Sequence, residues 1–339
     1  MRLSLRGTFV GVLSSAIALG LLAAPAANAA SLVPSALSAP AAISADPPPP
    51  PVSPPFSGVT LPGLPDPGAK AKAPKTNLKD YPKLAFVPGG GAAKAAIDPS
   101  TDGDVVVTTP VSATEVAVDI YDPGPGVTPA QAVTRLKAAG KNAKFVPSGQ
   151  SPAATSTQTV SPQFVASDCS YGNARSFDCN PPAYWTNNGF ADPLVRFNDH
   201  TGASWPTTTA VYNWNQTPNI DSQYLYNSCP FQAGARCVDV MEVPSLAGGN
   251  CGLFHFTYFS GSHRFNEQGI YSELSDASGC PASTHKQTVC HELGHALGLG
   301  HNVGPITASC ITPNAVIGNS GLPTSDDHNM LASIYSITR

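Results

Sequence analysis

What this chain lacks narrows its possibilities before any motif is read. No cysteine precedes Cys169, and beyond the first thirty residues no apolar run approaches the ~20 residues that cross a bilayer as a helix. Charge is scarce: Asp, Glu, Lys and Arg make up 12% of the 339 residues, against roughly 25% in an average soluble protein. Acidic side chains outnumber basic ones, 22 to 18, so the chain has no basic excess and nucleic-acid binding is disfavoured. No Asp-rich loop with calcium spacing occurs, which leaves calcium without an assigned site. No internal repeat is present.

What is there begins with an export signal. Arg2 and Arg6 precede an apolar run from about Thr8 to Ala24, and Ala27-Asn28-Ala29 offers a small-residue exit, so cleavage is expected after Ala29 and the product is expected to be secreted. The apolar run nears spanning length, but the Ala-x-Ala exit and the Pro-rich sequence after it favour export over a retained anchor. Eight cysteines between Cys169 and Cys310 fit disulfides formed outside the cytoplasm. Proximity favours Cys169 with Cys179 and Cys229 with Cys237, leaving Cys251, Cys280, Cys290 and Cys310 to pair among themselves.

Composition divides the chain further. Of 35 prolines, 24 precede residue 165, and residues 30–75 read as an extended Pro/Ala-rich linker with no core. Val105 to Val107 and Val116 to Tyr121 read as strands, and Pro129 to Ala139 as a helix capped by Thr128 and stopped by Gly140, so a small N-terminal α/β module is expected over 76–147. A Ser/Thr/Pro-rich stretch, 148–163, separates it from a cysteine-bearing domain over 164–339. There, strands are expected at Leu194 to Phe197, Val238 to Val243, Leu253 to Phe259 and Ile270 to Leu274, with a helix over Thr207 to Gln216.

The densest chemistry lies in "TVCHELGHALGLGH", residues 288 to 301, which holds three of the eight histidines and one of the five glutamates. Thr284 and Gln287 fit a capping box for a helix that carries His291 and His295 on one face, four residues apart, with Glu292 beside the first. Gly298 can take a positive φ, ending the helix and turning His301 back to complete a three-nitrogen metal site. Three ligands leave one tetrahedral position open, the mark of a catalytic rather than a structural zinc site. His200, His255, His263, His285 and His328 have no ligand spacing and read as surface or structural. Asn215-Gln216-Thr217 is formally a glycosylation sequon.

"HELGHALGLGH" resembles the zinc-binding consensus of the metzincin clan of zinc endopeptidases, most of all a compact, secreted, matrixin-like bacterial member. The resemblance is detailed over 288–301, compatible in element order over 164–339, and does not reach the N-terminal module. It implies an α+β, mostly parallel mixed sheet with an active-site helix and a C-terminal helix, and peptide-bond hydrolysis. His291, His295 and His301 would be the zinc ligands and Glu292 the general base. The clan also places a methionine in a tight turn beneath the metal. Met330 recurs with Leu331, Ile334 and Tyr335 at helical spacing and reads as the buried face of a helix starting at Ser325, so the positional equivalent is Ile311 in "SCITP". A Cys290–Cys310 bridge, suggested by adjacency to the motif, would hold Ile311 there, and Cys251 would then join Cys280.

Two functions follow. The first is a secreted endopeptidase whose protein or peptide substrate lies in a cleft, hydrogen-bonded as an added strand along a sheet edge. The second is an exported binding or adhesion module with a structural or vestigial zinc site. Residues 76–147 are either an inhibitory pro-region or a retained accessory domain; with no cysteine before Cys169, inhibition by a thiolate is excluded and an aspartate or steric cover would have to serve.

Overall fold

The computed structural model describes residues 82–86, 101–148, 169–178, 182–266, 268–303, 309–313 and 321–337. The export signal, the Pro-rich linker, Cys179 and nearly all of the Ser/Thr/Pro stretch lie outside the described residues. The architecture is α+β. An eight-stranded mixed sheet is built from β1 (Gly103–Pro110), β2 (Glu115–Pro123), β3 (Ala143–Pro147), β6 (Leu194–Asp199), β7 (Asp221–Tyr226), β8 (Arg236–Val243), β9 (Asn250–Phe259) and β10 (Tyr271–Ser275). Its order is β3-β1-β2-β9-β10-β8-β6-β7. Strands β7, β6, β8 and β10 are mutually parallel; β9 runs against β10, and β2, β1 and β3 continue antiparallel from it.

Helices cover both faces. On one, α2 (Thr207–Trp214) and α3 (His285–Ala296) bury Ala210, Val211, Trp214, Val289, Leu293 and Ala296 against Val195, Phe197, Val238, Val240, Phe254 and Phe256. On the other, α1 (Pro129–Ala138) packs Ala132 and Leu136 against Val105, Val107, Tyr121 and Leu253. The period-2 alternation of a strand explains the division, since Val106 faces α3 while its neighbours Val105 and Val107 face α1. Helix α1 carries the capping box that its sequence suggests: Thr128 Oγ1 accepts from the Gln131 amide, and Gln131 Oε1 accepts from the Thr128 amide.

The N-terminal strands do not form a separate module. Strand β2 pairs along β9 from Glu115 opposite Phe259 to Asp122 opposite Gly252, and Val106, Val118, Ile120 and Val146 share one core with α3. The reason is coverage: a three-stranded piece with a single helix can bury only one of its apolar faces, and the second face finds its cover against the rest of the molecule. The stretch at 148–163 therefore separates no independent core.

A second expectation also fails. Thr284 is not the extended N-cap of α3, for its backbone is already helical (φ −98°, ψ −13°). Its amide donates to Pro281 O, closing a 3-10 turn over Ala282–Thr284, its hydroxyl donates to the same carbonyl, and Gln287 Nε2 donates to Thr312 Oγ1 instead.

After α3 the chain forms β11 (Leu299–Gly300), which pairs with β5 (Ala174–Ser176); β5 in turn pairs with β4 (Ser170–Tyr171). The C-terminal helix α4 (Ser325–Ile337) buries Met330, Leu331, Ile334 and Tyr335, and the Tyr335 hydroxyl donates to Leu297 O. Its first turn holds Asp326 and Asp327, favourable at a helix N-terminus. Asp327 accepts from Asn302, Ser309 and both the amide and hydroxyl of Thr324, tying α4 to the segment after the glycine turn.

His328 offers a test of this packing. It is buried beside Trp214 and hydrogen-bonded to Thr217 Oγ1, and burial, helped by the Lys83 charge, lowers its pKa from the ordinary 6.5 to about 4. Between those values the unfolded chain takes up a proton that the folded chain refuses, so stability falls as pH drops from about 6.5 to about 4. His328→Gln should therefore lose less stability than the parent between pH 7 and 4.5 in urea melts run with chelator. Equal losses would show that His328 is not held neutral.

Candidate metal centre

The site is assembled from four separate pieces of chain. Helix α3 sets His291 and His295 one turn apart on the same face. Gly298, at φ +107°, then turns the chain; a Cβ there would stand 2.6 Å from Ala183 O, so both conformation and space require glycine. Three residues later His301 returns to the helix, and its Nε2 lies 2.9 Å from that of His291, which is itself 2.9 Å from that of His295.

The other ring nitrogens decide what this cluster can do. Nδ1 of His291 faces Cys310 O at 2.9 Å, that of His295 faces Leu299 O at 2.7 Å, and that of His301 faces Gly103 O at 2.7 Å. A carbonyl only accepts, so each Nδ1 carries the proton and each Nε2 is left with a bare lone pair. Lone pairs that close repel, and a cation between them removes the repulsion. Burial, reinforced by the neighbouring imidazoles, drives His291 well below its ordinary pKa and His295 down to about 3, which keeps those two rings in the neutral form that ligates. The donor set thus fits a metal ion, and His291, His295 and His301 could hold one.

Glu292 points to the sheet. Its carboxylate rests on Gly252 of β9, where an added Cβ would fall 1.8 Å from Oε1, and neither oxygen has a hydrogen-bond partner among the described residues. Directly across the ladder from Gly252 stands Asp122 of β2, also fully buried and also without a partner on either oxygen. Ligand atoms of Asp122, His291 and Glu292 lie within 4.8 Å of one another. Burial raises both carboxyl pKa values well above the ordinary range, and the Asp122 charge adds to the rise at Glu292. Two carboxyls so placed do not both ionise.

Ile311 is fully buried, and its Cδ1 lies so close to α3 that a Cβ on Gly294 would meet it at 2.2 Å. The Cys290–Cys310 disulfide fastens this segment to the helix, so the bridge and the carbonyl that orients His291 belong to the same residue. Cys229–Cys237 and Cys251–Cys280 are also joined. Cys169 is disulfide-bonded, and Cys179, the partner expected for it, lies outside the described residues.

The remaining histidines stay apart from the cluster. His200 pairs with Asp239, His255 with Asp119, and His263 with Asp178, while His285 stacks on Trp205 with ring centroids 3.7 Å apart. Sequence reasoning missed the contributions of β1 and β2. Gly103 O orients His301, and Asp104 Oδ1 accepts from the His301 amide at 3.1 Å, across nearly 200 residues of chain. The one local signal was Gly252, a glycine inside an aromatic strand, which marks a close approach of something to the backbone.

Comparison with known proteins gives no match: no family model fits the chain, and no curated protein matches its sequence.

Zinc titrated into metal-free protein against a competing chelator should saturate at one ion per chain. His295→Ala and His301→Ala should each weaken binding by about 100-fold or more, since losing only a partner that orients a ligand already costs 10- to 100-fold. Wild-type affinity in either variant would remove that histidine from the ligand set.

Proposed function

We propose that this protein is a secreted zinc endopeptidase of metzincin type. The observation that carries the reading is the combination of three bare imidazole nitrogens converging on one point with an unpartnered carboxylate, Glu292, next to the first of them. Structural zinc sites are closed by four ligands and are cysteine-rich, whereas here every cysteine among the described residues is disulfide-bonded. A zinc ion held by His291, His295 and His301 would polarise the scissile carbonyl and acidify a water molecule. Glu292 takes the proton of the attacking water and delivers it to the leaving amine nitrogen as the C–N bond breaks.

The substrate is an extended peptide, added as a strand along a sheet edge. Three disulfides agree with an oxidising compartment, and no helix among the described residues is long and apolar enough to cross a membrane.

A structural metal in a binding module is favoured by one observation: none of His291, Glu292, His295 and His301 is more than 1% exposed. The lone Glu292 carboxylate weighs against it, since a purely structural centre gains nothing from a buried, unsatisfied acid. Glu292→Gln separates the two. In the most active preparation of the chain, the variant should retain its zinc and lose hydrolysis of a quenched peptide by about 1,000-fold or more; the general-acid/base contribution alone is worth 10²- to 10⁴-fold. Undiminished turnover, or a parent with no chelator-sensitive turnover in any form, would overturn the peptidase reading.

A further inference from the structure

Strand β7 ends the sheet, with no strand paired beyond it among the described residues, and the chain around it is short of charge. From residue 207 to residue 235, a stretch that holds α2, β7 and the loop after it, Asp221 is the only charged residue, and Lys83 Nζ neutralises it at 2.9 Å. Edge strands are commonly guarded by charges that keep other copies away, whereas β7 carries Tyr224 and Tyr226. The loop after it is stapled by Cys229–Cys237 and pinned on both sides of its tip. Arg196 Nη1 donates to Pro230 O at 2.8 Å, and Gly234, at φ +82°, lies so close to the 188 segment that a Cβ would meet Asn188 O at 2.2 Å. Between these anchors Phe231 stands 94% exposed. A loop held in this way presents the ring as a rigid knob, and little freedom is lost when such a knob is buried. The next residue, Gln232, lines a crevice of about 390 Å³ whose other walls include Leu194, Tyr212 and Tyr224. Pockets of about 300 Å³ and upward take whole drug-sized ligands, so one aromatic side chain fits. Ser222, also in the crevice, has its amide bonded to Asn215 Oδ1 at 3.0 Å, so the sheet edge is closed there to an added strand and a side chain is the fitting occupant.

We propose that this face joins two copies of the chain: in a two-fold dimer, Phe231 of each copy fills the crevice between α2 and β7 of the other. Knob and crevice adjoin one another, so a two-fold axis satisfies both at once, whereas a separate peptide would fill the crevice and leave Phe231 bare. Such an axis also brings like groups near one another, and like charges brought together cost several kcal/mol; a face whose single charge is already neutralised meets no such barrier. Its composition agrees, since the buried centre of a protein interface is enriched in tyrosine and phenylalanine and depleted of charge. Two rings and two crevices make a small contact, in the transient class that buries less than about 1,200 Å². None of His291, Glu292, His295 and His301 belongs to this face, so the dimer stands or falls independently of the peptidase reading.

Sedimentation velocity of the purified chain over about a thousand-fold range of concentration tests this, and the mass should climb from one copy toward two. Phe231→Ser removes both knobs of a dimer and should weaken the pairing by about 30-fold or more, with urea melts unchanged because the side chain is exposed. Gln223→Trp, at an exposed position of β7, fills the crevice and should weaken it likewise. Mixing the two variants restores one contact, the knob of the second in the open crevice of the first, so the mixture should pair about 5-fold or more tightly than either variant alone. A chain that stays monomeric throughout, pairing that either substitution leaves unchanged, or a mixture no tighter than its components would overturn the proposal. Growth past two copies would also overturn it, since a head-to-tail contact does not close at two. A monomer that co-sediments with phosphatidylglycerol vesicles only while Phe231 is present would give the knob to a lipid surface and discard the dimer.

Discussion

Three protonated Nδ1 atoms, each donating to a backbone carbonyl, are the constraint on which the rest of this structure depends. They fix the histidine tautomers, and the tautomers force three lone pairs toward one another out of contact with water. Each carbonyl comes from a different device. Cys310 is held by a disulfide, Leu299 by the turn that Gly298 permits, and Gly103 by the first strand of the eight-stranded sheet. Local helix geometry supplies only the spacing of His291 and His295, and long-range structure supplies their orientation.

The same division explains how much could be read from the sequence. Features set by neighbours in the chain were legible: the pairing of His291 with His295, the turn at Gly298, the box at Thr128 and Gln131, the buried face of α4 around Met330. Features made by the meeting of distant segments were not. Gly103, Asp104 and Asp122 lie some 170 to 200 positions before the residues they face, and nothing in their own surroundings announces a role. The failure at Thr284 is of a third kind. The residues of a capping box were present, but a 3-10 turn had already drawn the backbone into helical angles, where a side chain cannot reach back to cap.

The misplaced domain boundary has the same origin. A change in composition at 148–163 is real in the sequence, yet composition reports where a chain is solvated, and a sheet can be completed across such a stretch. Strands β1, β2 and β3 have two apolar faces, and only the second, hidden from any local pattern, shows that they belong with β9.

Strand β9 carries a consequence of its own. It is ten residues long and rich in aromatic side chains, the kind of strand that natural proteins seldom leave with a bare row of backbone donors and acceptors. With β2 in place, that row is satisfied and the sheet ends instead at β3 and β7, the short terminal strands. A copy stripped of β2 would present a long, flat, sticky margin to its neighbours. Self-association, held off only by whatever ligand fills the gap, is the hazard that such a molecule would carry.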